Sequence, residues 1–153
     1  MFGFGTAALG AALELADAAE QIARQLDVPL IATGQSQAGG TAQLQVASIV
    51  TRPGWRGFVT FNATCSPGSI QRLGVEPSRL PGVNFAKDLD PFVGPNTWLA
   101  NGIGLQIYIH ADGSGSFVPG ASFVNAALHP TEHFLDSFKD ISLSAIVESL
   151  LAT

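Results

Sequence analysis

One serine in a run of small residues constrains this fold more than any other feature. Ser36 lies in Gly34-Gln35-Ser36-Gln37-Ala38-Gly39-Gly40, directly after the apolar run Pro29–Thr33. A short β-branched run, a serine among small residues and then a helical stretch predict a strand, a sharp turn and a helix. The tight turn needs small residues two positions before and after the serine, and Gly34 and Ala38 meet that need. The pattern therefore predicts a serine hydroxyl held at the end of a parallel strand as a nucleophile.

The composition fits a sheet that is buried on both faces. Of the 153 residues, 46% are hydrophobic and 12% charged, with 17 Gly and 9 Pro, which suits one α/β domain and not a disordered chain. The net charge of −5, without a basic cluster, argues against nucleic acid as a partner. A single cysteine, Cys65, excludes an internal disulfide and a multi-cysteine metal site. We expect one domain over residues 1–153.

Predicted helices and strands alternate along the chain. The periodicity predicts helices over Thr6–Leu26, Gln37–Val50, Pro130 to about Lys139 and Ile141–Leu151, and strands over Leu30–Thr33, Gly57–Ala63, Gly82–Ala86 and Leu105–His110. Residues 112–116 predict a turn, after which Phe117 and Val118 extend a hairpin. This order favours an α/β fold with a compact, mostly parallel sheet and flanking helices.

The sequence indicates neither a membrane span nor a particular compartment. No segment is long and apolar enough to cross a bilayer, and the first residues lack the basic charges of a signal peptide. The compartment therefore stays open, with the cytoplasm as the default.

A serine nucleophile needs a histidine to take its proton and a carboxylate to orient that histidine. Asp88 and Asp90 both follow the third predicted strand and are the candidate acids. Among the histidines, His110 ends the fourth strand and is interpreted as a packed, hydrogen-bonded residue. His129 lies on a loop before a helix and is the predicted base, with His133 as the alternative. The spacing of His129 and His133 also suits a metal, but no third ligand is evident, so we predict neither a metal nor a cofactor.

These segments resemble the class 3 lipases of the α/β-hydrolase fold. Residues 31–40 are similar to that family's nucleophile strand and its Thr-Gly-His-Ser-Leu-Gly-Gly, with Gln35 in place of the histidine. The segment from Asp90 to Val93 resembles the Asp-x-Val segment that carries the family's acid. His129 resembles the histidine of some bacterial members, and His133, between Glu132 and Phe134, resembles the Asp-His-Leu context of others.

Further likeness covers most of the chain in short motifs. Gly3-Phe4 before a long helix, Val59–Asn62 with Pro67-Gly68, and Tyr108–Gly113 with a non-catalytic histidine all have counterparts in the family. The resemblance implies a serine esterase or lipase that hydrolyses acylglycerol or short-chain esters through an acyl-enzyme. It implies Ser36 as nucleophile, Asp90 as acid, His129 as base and the Gln37 N–H as an oxyanion donor. The apolar residues Phe92, Trp98 and Phe117 would form the acyl-binding rim.

The main departure is at the beginning of the chain. The family has several strands before the nucleophile helix, one of which ends in a Ser or Thr of the oxyanion hole, and this sequence starts at that helix. We therefore expect a truncated fold in which the edge of Leu30–Thr33 is open and invites a second copy or another partner. The departure also keeps two alternative functions open. One is a non-catalytic hydrolase-like remnant that acts as a lipid-binding or interaction module, and the other is an acyltransferase or thioesterase that uses the same site.

Overall fold

Helices and strands alternate along most of the described chain. The computed structural model describes residues 6–91, 103–118 and 138–152. The elements are α1 (Thr6–Gln25), β1 (Leu30–Gln35), α2 (Ser36–Ile49), β2 (Arg56–Phe61), α3 (Pro67–Gln71), a 3-10 turn (Pro77–Arg79), β3 (Gly82–Lys87), β4 (Leu105–Ile109), β5 (Gly115–Ser116) and α4 (Leu143–Leu151). No helix in these ranges combines the length and the apolarity that crossing a membrane requires.

The strands form one sheet in the order β1-β2-β3-β4-β5. The first four strands are parallel, and β5 pairs antiparallel with β4. The predicted α/β class with a mostly parallel sheet is therefore confirmed. Because parallel strands share one direction, the carboxyl ends of β1 to β4 meet at the same edge of the sheet, which we call the carboxyl edge.

Three details differ from the sequence-based expectations. The hairpin strand is Gly115–Ser116, inside the predicted turn, and not Phe117 with Val118. The segment after β2, for which no helix was predicted, contains α3 and the 3-10 turn, each of which begins with a proline. The helix predicted from Pro130 lies outside the described residues except for its last two, Phe138 and Lys139, which form no α-helix.

Apolar side chains cover both faces of the sheet. On one face, α2 packs its buried side chains against β2, around a fully buried Phe58. On the other face, Ile146 of α4 packs against Ile107 and Ile109 of β4, with Phe138 and Leu150 at the margin. Helices on both faces are what a parallel sheet needs to remove its apolar strands from water.

A buried ion pair fixes α1 to the start of β2. Glu20 and Arg56 are both almost fully buried, and the Arg56 guanidinium donates to the Glu20 carboxylate. Burial alone raises the pKa of Glu20, but the hydrogen bond from Arg56 and the charge of Arg24 hold that pKa below its ordinary value of 4.5. A lowered pKa in the folded state means that the pair contributes stability above about pH 4.5 and loses it as the pH falls through the lowered value.

Candidate active site

The predicted turn at the serine is present, and the serine itself carries its unusual backbone. Ser36 is the first residue of α2 and has φ of 53°, directly after the extended Gln35 at φ of −121°. A positive φ is uncommon for a residue with a side chain and costs on the order of 1 kcal/mol or more. Ser36 is half-buried, so part of it remains accessible at the carboxyl edge. This strained strand-to-helix turn is the geometry that presents a nucleophilic hydroxyl.

Close backbone contact in the turn requires glycine at position 34. A Cβ added to Gly34 would lie 2.6 Å from the carbonyl carbon and oxygen of Ala38 and 2.7 Å from the nitrogen of Gly39. These are backbone atoms, which cannot move aside without a change in the turn. The prediction of a small residue two positions before Ser36 is therefore explained, whereas Ala38 itself is exposed.

Behind the serine, two glycines let the start of α2 pack on the loop after β2. A Cβ on Gly39 would lie 2.9 Å from the Cβ of Ala63, and one on Gly40 would lie 2.6 Å from the carbonyl oxygen of Thr64. The same loop donates a hydrogen bond from the Thr64 N–H to the Ser36 carbonyl at 3.1 Å. The turn is thus held from two sides, by β1 and by residues 62–65.

The first turn of α2 is suited to a developing negative charge. It contains no acidic residue, and the side chain of the N-cap residue Gln35 makes no capping hydrogen bond. The first N–H groups of a helix have no partner within the helix and carry the positive end of its dipole. Gln37, predicted as the oxyanion donor, directly follows Ser36 in this turn. Its N–H therefore belongs to a helix terminus of the kind that binds anions.

Both candidate acids lie at the end of β3, and both are buried. Asp90 is 0% exposed, and its N–H donates to the Lys87 carbonyl at 3.0 Å. Asp88 is 5% exposed, and its N–H donates to the Ile109 carbonyl at 2.9 Å. Since β3 is the second strand from β1, its end lies about 9.5 Å from that of β1. That gap is roughly the span of one imidazole with a hydrogen bond at each end.

A hydrogen-bond chain links Asp88, His110 and Ser116. Nδ1 of His110 lies 2.9 Å from Oδ2 of Asp88, and Nε2 lies 2.9 Å from Oγ of Ser116. The interpretation of His110 as a hydrogen-bonded strand-end residue agrees with these contacts. The partners of His110 were not predicted, because the sequence indicates Asp88 as an acid for Ser36 and Ser116 as part of a turn. The available signal was that Asp88 and His110 follow neighbouring parallel strands.

The hydrogen-bond chain of Asp88, His110 and Ser116 does not include Ser36. His110 follows β4, three strands from β1, and three strand spacings amount to about 14 Å. That separation is beyond the hydrogen-bond distance that a general base requires. The Ser116 hydroxyl donates to the Val118 carbonyl at 2.5 Å.

Both predicted bases, His129 and His133, lie outside the described residues, as do Phe92 and Trp98 of the predicted rim. The first described residue after them, Phe138, packs edge-on against Phe61 at 5.2 Å between ring centroids. Nζ of Lys87 lies 5.8 Å from the centroid of the same ring. Phe61 and Lys87 end β2 and β3, so the chain returns to the carboxyl edge just after the segment that carries both histidines.

A buried polar network supports the loop behind the serine. Gln43 of α2 donates to Thr60, and Thr60 donates to Oδ1 of Asn84 at 2.9 Å. The same Oδ1 accepts from the Ala63 N–H at 3.1 Å, and the Asn84 amide donates to Gln106 at 3.0 Å. These residues were not among the predicted site residues. Their common effect is to tie residue 63, which packs against Gly39, to the middle of the sheet.

Cavities lie at both ends of the sheet among the described residues. One, of about 90 Å³, lies at the carboxyl edge and is lined by Lys87, Leu89, Ile109, His110 and Ala111. The other, of about 670 Å³, lies at the opposite end of the sheet beside Val28, Ile31 and Trp55, and none of the predicted catalytic residues lines it. The chemistry predicted from the sequence therefore belongs to the carboxyl edge and not to the larger cavity.

Two further kinds of reactive group are a cysteine thiol and a set of metal ligands. Burial raises the pKa of the Cys65 thiol to about 12, so this cysteine is a thiol and not a thiolate near neutral pH. Within the described ranges, no three His, Cys, Asp or Glu side chains are grouped so that they could hold a metal ion.

Comparisons with protein-family models, with curated proteins and with solved structures gave no match for this chain. The likeness to the class 3 lipases rests on the sequence motifs.

Proposed function

We propose that this protein is a serine ester hydrolase of the class 3 lipase type, which acts on acylglycerol or short-chain carboxylic esters. The observation that carries the proposal is the backbone of Ser36, with φ of 53° between the parallel strand β1 and the start of α2. Strain of this kind is retained where function requires it. Glycines at 34, 39 and 40 leave the room that the turn needs.

In the proposed reaction, Oγ of Ser36 attacks the acyl carbon of the ester. A histidine, His129 or alternatively His133, takes the hydroxyl proton and then gives it to the departing alcohol. The N–H of Gln37 stabilises the oxyanion at the start of α2. Water then repeats the sequence on the acyl-enzyme and releases the carboxylic acid.

Asp90 is the proposed carboxylate partner of that histidine. Its burial suits a group that orients an imidazole away from water. The carboxylate of Asp88 instead contacts His110, with its Oδ2 at 2.9 Å from Nδ1. Position also supports the choice, since the end of β3 lies two strands from Ser36 and Phe138 returns the chain to that edge.

The proposal is tested by labelling the folded protein with a fluorophosphonate. We expect one adduct, which peptide mapping assigns to Ser36, because only an activated serine hydroxyl reacts with such probes at a useful rate. Short-chain p-nitrophenyl esters should be hydrolysed by the same preparation, and prior labelling should abolish that hydrolysis. An adduct on Ser116 would contradict the assignment of the nucleophile.

A folded protein that neither reacts with the probe nor turns over esters would reject catalysis. It would favour the alternative of a non-catalytic hydrolase-like module that binds lipid or another protein. Transfer of the acyl group to an alcohol or thiol in preference to water would instead favour an acyltransferase. A substrate panel that includes thioesters separates the thioesterase alternative.

We also propose that two copies of the chain pair through β1. Among the described residues, β1 is the border strand of the sheet, and its sequence Leu-Ile-Ala-Thr-Gly-Gln carries no charge. Ile31 on this strand is 51% exposed. Border strands that remain single usually carry charged side chains, because an uncharged edge pairs with other strands.

Light scattering should therefore give twice the mass of the chain, and Ile31→Lys should give the mass of one chain. The control is Leu105→Lys, which places the same charge on an equally exposed apolar residue of β4, an interior strand of the sheet. A wild-type protein that stays monomeric at high concentration, or a control that dissociates equally, would reject pairing through β1.

A further inference from the structure

The hydrogen-bond chain through His110 has no part in the proposed reaction, yet it is built like a functional site. Asp88 and His110 are largely buried, with 7% and 27% of their side chains exposed, and both contacts of the imidazole are 2.9 Å long. The chain ends at Ser116, whose hydroxyl reaches the carbonyl of Val118. Val118 is the last described residue before the segment that carries His129 and His133.

The protons available to Asp88, His110 and Ser116 determine which nitrogens of the His110 ring must donate. Ser116 has one hydroxyl proton, and it donates that proton to the Val118 carbonyl at 2.5 Å. Oγ of Ser116 is then an acceptor, so Nε2 of His110 must donate to it. An ionised Asp88 carboxylate can only accept, so Nδ1 must then donate as well. With Asp88 ionised, all three hydrogen bonds coexist only when both ring nitrogens carry protons.

We propose that His110 is a positioning residue, which in its doubly protonated form holds the β4–β5 hairpin and the departure point of residues 119–137 at the carboxyl edge. The inference rests on the proposed function, because that segment carries both candidate bases for Ser36. Loss of one ring proton removes either the bond to Ser116 or the bond from Ser116 to Val118. The hairpin then keeps its anchor on the other side, where Ser149 of α4 bonds to the N–H and the carbonyl of Gly115 at 2.8 and 3.1 Å.

Charged groups from two parts of the chain lie around His110. Asp88 contacts the ring from the end of β3. Asp112 lies on the β4–β5 turn, where hydrogen bonds from Ser114, and to a smaller extent the charge of His110, lower its pKa. Lys87 lines the same small cavity as His110 and carries the opposite charge to these two carboxylates. From α4, the group that contacts the hairpin is the uncharged hydroxyl of Ser149.

The proposal gives the reaction an alkaline limit. A catalytic histidine must lose its proton to act as a base, so activity rises with pH at first. Deprotonation of His110 then releases the hairpin and lowers kcat/KM. Loss of one hydrogen bond from a charged donor changes the equilibrium for opening of the β4–β5 hairpin by about 10- to 100-fold.

Two measurements test this, and one of them does not depend on catalysis. The first is amide hydrogen exchange of residues 108–116 against pH, corrected for the intrinsic pH dependence, beside an NMR titration of the His110 ring. The second is the pH profile of kcat/KM. Ser116→Ala removes the link from His110 to Val118, and Ser114→Ala is the matched control, because Ser114 bonds to Asp112 in the same turn.

In the wild type and in Ser114→Ala, hairpin protection should fall at least about tenfold over the pH range in which His110 deprotonates. In Ser116→Ala, protection should be low at every pH, and the alkaline fall of kcat/KM should disappear. The proposal would be overturned if hairpin protection in the wild type stayed constant while His110 titrates. It would also be overturned if Ser116→Ala kept a step of protection or of kcat/KM over the same pH range. If the protein proves inactive, the exchange data still decide the role of His110, so the two proposals fail separately.

Discussion

Ser36→Ala is expected to lower kcat/KM for short-chain p-nitrophenyl esters by roughly 10⁴- to 10⁶-fold, which is the usual cost of removing a catalytic serine. The physical reason is that no other described hydroxyl combines a positive φ with a helix start at the carboxyl edge. Alanine keeps the Cβ and removes only Oγ, so the folded structure should persist. Steady-state kinetics and thermal unfolding, measured on the same preparation, check both statements.

The matched control is Ser48→Ala in the same helix. Ser48 donates to the Gln45 carbonyl at 2.7 Å, in the ordinary way of a helical serine. Its replacement should change kcat/KM by less than about twofold, since surface-type changes of this kind cost at most about 0.5 kcal/mol. Full activity in Ser36→Ala would remove the proposed mechanism.

Gly34→Ala is expected to have the largest effect on folding. The new Cβ would lie 2.6 Å from backbone atoms of Ala38. Overpacking costs 1–3 kcal/mol when side chains can adjust, so we expect about 3 kcal/mol or more here, where they cannot. For a chain of this size, that lowers the melting temperature by about 6–12 °C. Any remaining folded protein should react with a fluorophosphonate at least about 100-fold more slowly, because the serine is displaced.

Gly10→Ala is the control for this substitution. Gly10 lies in α1, and a Cβ there would have nothing within 4 Å. Alanine in place of glycine inside a helix stabilises it by about 0.5–1 kcal/mol. A Gly34→Ala protein that melts at the wild-type temperature and reacts at the wild-type rate would show that the turn does not need glycine.

The order of the elements was predictable because it is encoded locally. A β-branched run before Ser36, apolar repeats in α1 and α2, and prolines at the breaks each act over a few residues. The limits of the prediction come from contacts between distant residues. Leu26, predicted as the last residue of the first helix, lies just after α1 and is 66% exposed, whereas the charged Glu20 of α1 is buried because Arg56, 36 residues away, is its partner.

The site was predictable to a similar extent. The serine turn follows from spacing, since the small residues and the strand are neighbours in the chain. The Gly39-Gly40 pair also carried a readable signal, because two glycines inside a helix are unfavourable unless the backbone packs closely. The contact of Asp88 with His110 and Ser116 was not predicted, because it depends on which strands are adjacent and on the two-residue strand at Gly115–Ser116.

Strand order along the sheet equals strand order along the chain. Among the described strands, β2 to β5 each pair with the strand that precedes them in the chain, so none of these strands is inserted between two strands already paired. Growth of this kind suits folding on the ribosome, where domains assemble from the amino terminus. The nucleophile turn and its supporting loop emerge before the histidines, since His129 follows Ser36 by about 90 residues. A nascent chain would hence complete its serine turn before it acquires the proposed base.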